Sequence, residues 1–211
     1  PQPKSWLVKG AFVLIGSSLV AGLWGAGLFV TGLPEWAPRP LGLLAILAGA
    51  ATTGYTAFLF AQAKGRQLWQ SPLLLPHLVI QGLVAGSAAL SIAPGWTALE
   101  GGPANRPLAL SLALAIALVL NGLCVLGELT VHPSEDAKLA TSWLKAAPQG
   151  MTLTLGVFGL GHLLPLGLLS LIWVMDPVPT EVLLVAGPAA LVGLWIWEHL
   201  YVQAGQVPPL S

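Results

Sequence analysis

Five side chains are of the types that proton transfer and hydrogen-bond chemistry require: Tyr55, His77, Gln81, Glu128 and His132, each set in or beside a long apolar run. A polar side chain at membrane depth is costly unless it is paired or used, so these residues mark a candidate site. His77 and Gln81 are spaced i, i+4, as are Glu128 and His132, which puts each pair on one helix face. A carboxylate beside an imidazole can accept or release protons, and a tyrosine hydroxyl adds a donor. Taken singly, the same residues could be interfacial groups reaching headgroup water, or a histidine bonding locally at a helix start.

The elements that must position them are membrane helices. The chain is 55% hydrophobic and 8% charged, against roughly 25% charged for a soluble domain. Its formal net charge is zero, and its Lys and Arg residues are scattered, which leaves no footprint for nucleic acid. The single cysteine, Cys124, lies deep in an apolar run, so the sequence predicts no disulfide framework, no Cys-based metal site and no iron–sulfur cluster in this chain. Apolar runs long enough to cross a ~30 Å hydrocarbon core fall at about 6–31, 41–63, 73–93, 108–131, 151–175 and 182–202. None alternates in the manner of a barrel strand. The expected fold is therefore all-α, a polytopic bundle of six transmembrane helices in up-and-down order, because the connections are short and rich in turn formers. A single membrane domain over 1–211 is expected. Since the chain opens on Pro1 with no signal-peptide layout, that domain is read as N-terminally incomplete.

The polar groups cluster toward one end of the bundle. Lys4, Lys9, Lys64, Arg66, Lys138 and Lys145 fall on the side of the N-terminus, and Arg39 and Arg106 on the other. Tyr55, His77, Gln81, Asn121, Glu128, His132, Glu198 and His199 all lie toward the side with more cations. The positive-inside rule makes that side cytoplasmic, unless the charges form a docking face for a partner. His162 stands apart, near mid-span beside Pro165. Haem would need a second histidine at its depth, so a bond to a neighbouring helix or to a carbonyl is expected instead. Ser134 before Glu135 and Asp136 reads as a helix N-cap, predicting a short surface helix ahead of Pro148. Trp6, Trp36, Trp69, Trp96, Trp143, Trp173 and Trp197 sit near run ends and read mostly as an aromatic belt.

The segment from Tyr55 through KGRQLW and SPLLLP, with the opening PKSWLVKGA and the ending WIWEHLYVQAGQVPPLS, resembles the NrfD-like family of polysulfide reductase membrane subunits. The likeness covers nearly the whole chain and is most specific over Tyr55–Pro76. It implies the last six helices of a protein with at least eight, in a multi-pass subunit of the bacterial cytoplasmic membrane. Such a subunit anchors a respiratory oxidoreductase and exchanges electrons and protons with menaquinone or ubiquinone. The partners implied are a four-cluster, ferredoxin-like iron–sulfur protein and a molybdopterin or haem subunit, besides membrane lipid. By the same likeness Tyr55 falls on the tyrosine that contacts the quinone, and Glu128 on a helix that supplies an acidic group. His77 and Gln81 would then line the mouth, with Glu128 and His132 as the proton path. Two other readings share these residues: a proton- or ion-conducting module, and a structural anchor with no quinone site.

Overall fold

In the computed structural model, residues 5–30, 34, 36, 39–93, 106–131, 134–175 and 180–209 are described, and among them the regular structure is helical, with no strand. The expected all-α fold is observed, with six helices long and apolar enough to cross a membrane. They are α1 (Trp6–Phe29), α2 (Arg39–Phe60), α3 (Leu74–Ile92), α4 (Arg106–Thr130), α6 (Gln149–Val174) and α7 (Leu183–Ala204). A short helix, α5 (Glu135–Lys145), lies between α4 and α6.

The helices divide into an edge hairpin and a core. α1 packs chiefly on α2, and α2 in turn on α3, whereas α3, α4, α6 and α7 pack on one another. Only 6% of the apolar stretch of α1 or α2 is buried, against 44% for α4 or α7. The hairpin is tied by polar contacts that lipid cannot replace: Thr52 Oγ1 donates to Ser17 Oγ at 2.7 Å, and Ser17 Oγ to the Ala48 carbonyl at 3.0 Å. Trp6 stacks on Phe58 at 4.3 Å between centroids. In the core, Val125, Leu144, Val157, Trp197 and Tyr201 form one apolar cluster and Leu114, Leu118, Leu169, Leu183 and Ala186 another.

The α2–α3 turn is built by its own sequence. Gln70 donates to the carbonyls of Phe60 and Ala63, which also accept from the backbone N–H groups of Ala63 and Arg66, and residues Gln67–Gln70 form a 3₁₀ turn. Arg66 then reaches across the bundle, its Nη1 donating to the carbonyls of Gln206 at 3.1 Å and Pro208 at 2.8 Å. α5 has the expected cap, Ser134 Oγ accepting from the Ala137 N–H at 3.2 Å. Lys145 donates from its Nζ to the Leu129 carbonyl at 2.7 Å, a cation at the C-terminal end of α4 where the helix dipole favours one.

Two features depart from expectation. Trp197 is 1% exposed, with its ring 5.6 Å from His77 and 5.4 Å from Tyr201, so it belongs to the core and not to an aromatic belt. It lies two turns before the end of α7, and the face it occupies points at α3. α6 is also not uniform: over Leu153–Leu163 it adopts π-helical register, and the Leu164 N–H donates to the Gly159 carbonyl five residues back. The register ends at Leu163, two residues before Pro165, which has no N–H to donate. Gly161 within this segment meets Gly193 of α7 backbone to backbone, a Cβ on Gly161 standing 2.5 Å from the Gly193 Cα. Only glycine on both sides permits that approach.

Candidate functional site

At the end of the bundle that carries the α2–α3 turn, three elements bring polar groups together. Glu128 lies in the last turn of α4 and is 2% exposed. Tyr201, one turn from the end of α7, points into the same space; its hydroxyl donates to the Leu68 carbonyl at 3.0 Å and lies 3.4 Å from Glu128 Oε2. Ser71, just past the 3₁₀ turn, sets its hydroxyl toward the same carboxyl. Glu128 Oε1 is buried without a hydrogen-bond partner among the described residues. A buried carboxyl oxygen left open is expensive, which makes it the strongest local pointer to an additional donor.

Ser71 also lines a cleft of 210 Å³ between the end of α2 and the start of α3, walled by Phe58, Trp69, Pro72, Leu74 and Leu75. A cavity of ~150 Å³ holds a benzene ring, so the cleft has room for a six-membered ring between aromatic and aliphatic walls. Ser71 thus stands between an apolar slot and a buried carboxyl. A hydroxyl can donate and accept at once, so this arrangement can pass a proton from the slot toward Glu128.

A second polar group occupies the core. His77 is 2% exposed, and Gln81 Nε2 lies 3.4 Å from its Nε2. Glu198 of α7 approaches Gln81, and Asn121 of α4 approaches His77. Asn121 Nδ2 lies 3.1 Å from His162 Nε2, and His162 Nδ1 lies 2.7 Å from the Val157 carbonyl. A carbonyl only accepts, so Nδ1 carries the proton and Nε2 accepts from Asn121. His162 therefore bonds a neighbouring helix, one of the two alternatives expected of it, and also a carbonyl of its own helix.

Tyr55 is placed differently. Gly54 faces α3, where a Cβ would stand 3.0 Å from Leu75 Cδ1, so the next residue is turned about 100° away. Its ring lies on Gly10 of α1, and its hydroxyl has no hydrogen bond among the described residues. Tyr55 and Phe58 are spaced i, i+3 and are neighbours on the surface of α2. The sequence-derived residues thus occupy three places: Tyr55 at the α1–α2 seam, Glu128 beside Ser71 and the cleft, and His77 with Gln81 in the core. His132 lies outside the described residues. Ser71, Tyr201 and the Asn121–His162 bond were not singled out by sequence. Tyr201 carried a usable signal, being one of only two tyrosines and spaced i, i+3 from Glu198.

A family model described as "Polysulphide reductase, NrfD" matches residues 1–209. No curated protein and no solved structure matches the chain.

Proposed function

The chain belongs to the polysulphide reductase NrfD family, and from that premise we propose that it is the quinone-reactive membrane subunit of a respiratory oxidoreductase in the bacterial cytoplasmic membrane. The observation that carries this reading is the cleft bordered by Ser71, with the open oxygen of Glu128 behind it. A bound menaquinone or ubiquinone supplies a two-electron, two-proton couple, and the protein supplies position and proton handling.

The residues divide that work. Phe58, Trp69, Pro72 and Leu75 form a slot that keeps lipid and water off a ring. Ser71 bonds a carbonyl oxygen from inside the slot, and its hydroxyl hands protons to or from the Glu128 carboxyl. Tyr201 holds that carboxyl in place by a bond that Leu68 shares. Tyr55, whose hydroxyl is without a partner among the described residues, supplies a donor from the α1 side of the same helix end. The core pair His77 and Gln81, with Glu198 beyond, would extend proton exchange behind the site. Electrons would pass between the ring and an iron–sulfur partner docked at this end, with a molybdopterin or haem subunit beyond it.

Quinol-linked turnover and quinone content of the intact complex test the reading. Glu128→Gln should lower turnover by about 10²-fold or more, the scale of a lost proton-transfer group, with quinone still bound. Ser71→Ala and Tyr55→Phe should each cost roughly 2- to 12-fold, the scale of one hydrogen bond. Unchanged turnover in all three variants would sink the site.

A further inference from the structure

A second recess lies at the opposite end of the bundle, where the C-terminal end of α1, the start of α2 and the end of α3 meet. This groove of 930 Å³ is lined by Trp24, Arg39, Gly42, Ile46, Gly86 and Leu90, with Leu43 and Ala45 completing an apolar wall. Arg39 is the first residue of α2, so it stands at headgroup depth, and Ile46 lies ~10 Å deeper at ~1.5 Å per residue.

The cations elsewhere in the described chain are mostly engaged. Arg66 bonds carbonyls near the C-terminus, Lys145 bonds the Leu129 carbonyl, Lys138 pairs with Glu135, and Lys9 lies over the Trp6 ring. The Arg39 guanidinium has no hydrogen bond or ion pair among the described residues, and it borders this apolar groove. Trp24 sets a second donor at the same rim. A Cβ on Gly42 would stand 3.1 Å from its Nε1, and that N–H has no hydrogen bond among the described residues. The groove floor is open because Gly86 carries no side chain, and nothing lies within 4 Å of where a Cβ would be.

Apolar walls a few turns deep, capped by a fixed cation and an indole donor, match the two halves of a lipid. We infer that this groove is a binding site for an anionic phospholipid, with an acyl chain along Gly42, Ile46 and Gly86 and the phosphate on the Arg39 guanidinium. Arg suits that role because its planar fork donates to two phosphate oxygens at once. The location gives the lipid a structural consequence. Among the described residues the α1–α2 hairpin meets the core chiefly through the α2–α3 seam, and a bound lipid fills the outer half of that seam.

The test uses the intact complex in nanodiscs of phosphatidylcholine doped with photoactivatable phosphatidylglycerol or, separately, photoactivatable phosphatidylcholine. Phosphatidylglycerol should crosslink to peptides spanning residues 24–46 and 86–90 in preference to phosphatidylcholine. Arg39→Gln should lower that preference about fivefold, the scale of one cation near an anionic surface. Gly86→Leu fills space that is open in the native groove, and should abolish crosslinking there while leaving helix content and thermal stability unchanged. Equal crosslinking by the two lipids, or an anionic preference that survives both substitutions, overturns the inference. So does a quinone or a protein segment recovered from the groove in place of lipid.

Discussion

Tyr201→Phe removes one oxygen from the core and nothing else, so its cost isolates the hydroxyl. The ring stays, and no cavity of consequence is left. The single hydroxyl proton is offered to two acceptors, Leu68 O at 3.0 Å and Glu128 Oε2 at 3.4 Å. Losing it deprives a buried carbonyl and a buried carboxyl of their shared donor, at about 1–3 kcal/mol. For a chain of this length that is a fall of roughly 2–10 °C in the unfolding midpoint. Because the shorter contact is to Leu68, most of the loss should persist when Glu128 is also replaced. A double-mutant cycle with Glu128→Gln should then return a coupling of ~0.5–1 kcal/mol, above the ~0.3 kcal/mol expected of independent sites. The assay is thermal unfolding of the purified protein in one detergent, wild type and three variants side by side. A Tyr201→Phe midpoint within 1 °C of wild type, at roughly 0.5 kcal/mol or less, would refute the reasoning: the hydroxyl would then not be the donor that closes this end.

Three other substitutions probe separate features. Gly193→Ala places a methyl against the Gly161 backbone, which cannot rotate away, and should lower the midpoint by roughly 2–10 °C through overpacking of about 1–3 kcal/mol. Asn121→Leu leaves His162 Nε2 without its donor, costing about 1–3 kcal/mol. In imidazole-labelled NMR spectra the His162 ring should keep its Nδ1–H tautomer, held by the Val157 carbonyl, while its Nε2 resonance shifts as the bond from Asn121 is lost. Arg66→Ala releases the carbonyls of Gln206 and Pro208, so carboxypeptidase should trim the C-terminus several-fold faster while helix content is unchanged.

The helices were legible because the bilayer imposes a length on them. The Ser134 cap was legible because capping is written in adjacent residues and needs no tertiary knowledge. What could not be read was which way each helix faces. A soluble helix advertises its buried face by hydrophobic contrast, but a membrane helix meets lipid and protein with the same side chains. Trp197 therefore reads as interfacial by position although it is buried, Tyr201 passes unnoticed, and Tyr55 cannot be assigned to the α1 seam. Glu128 was easier to notice, since a carboxylate this deep in an apolar run has to be explained. The Gly161–Gly193 contact depends on two helices approaching closely, and neither glycine signals this in sequence. The Asn121–His162 bond likewise joins residues on different helices, and no local pattern points from one to the other.

The contacts that complete this end of the bundle come from the last part of the chain. During synthesis the α2–α3 turn and Glu128 enter the membrane before α7 exists, so Leu68 and the carboxyl wait without the Tyr201 donor, and Arg66 without its carbonyls. Insertion of α7 supplies all of these partners together. A chain that stalls before α7 would keep most of its apolar helices, yet its Glu128 carboxyl would have Ser71 without Tyr201 and its basic turn would be loose.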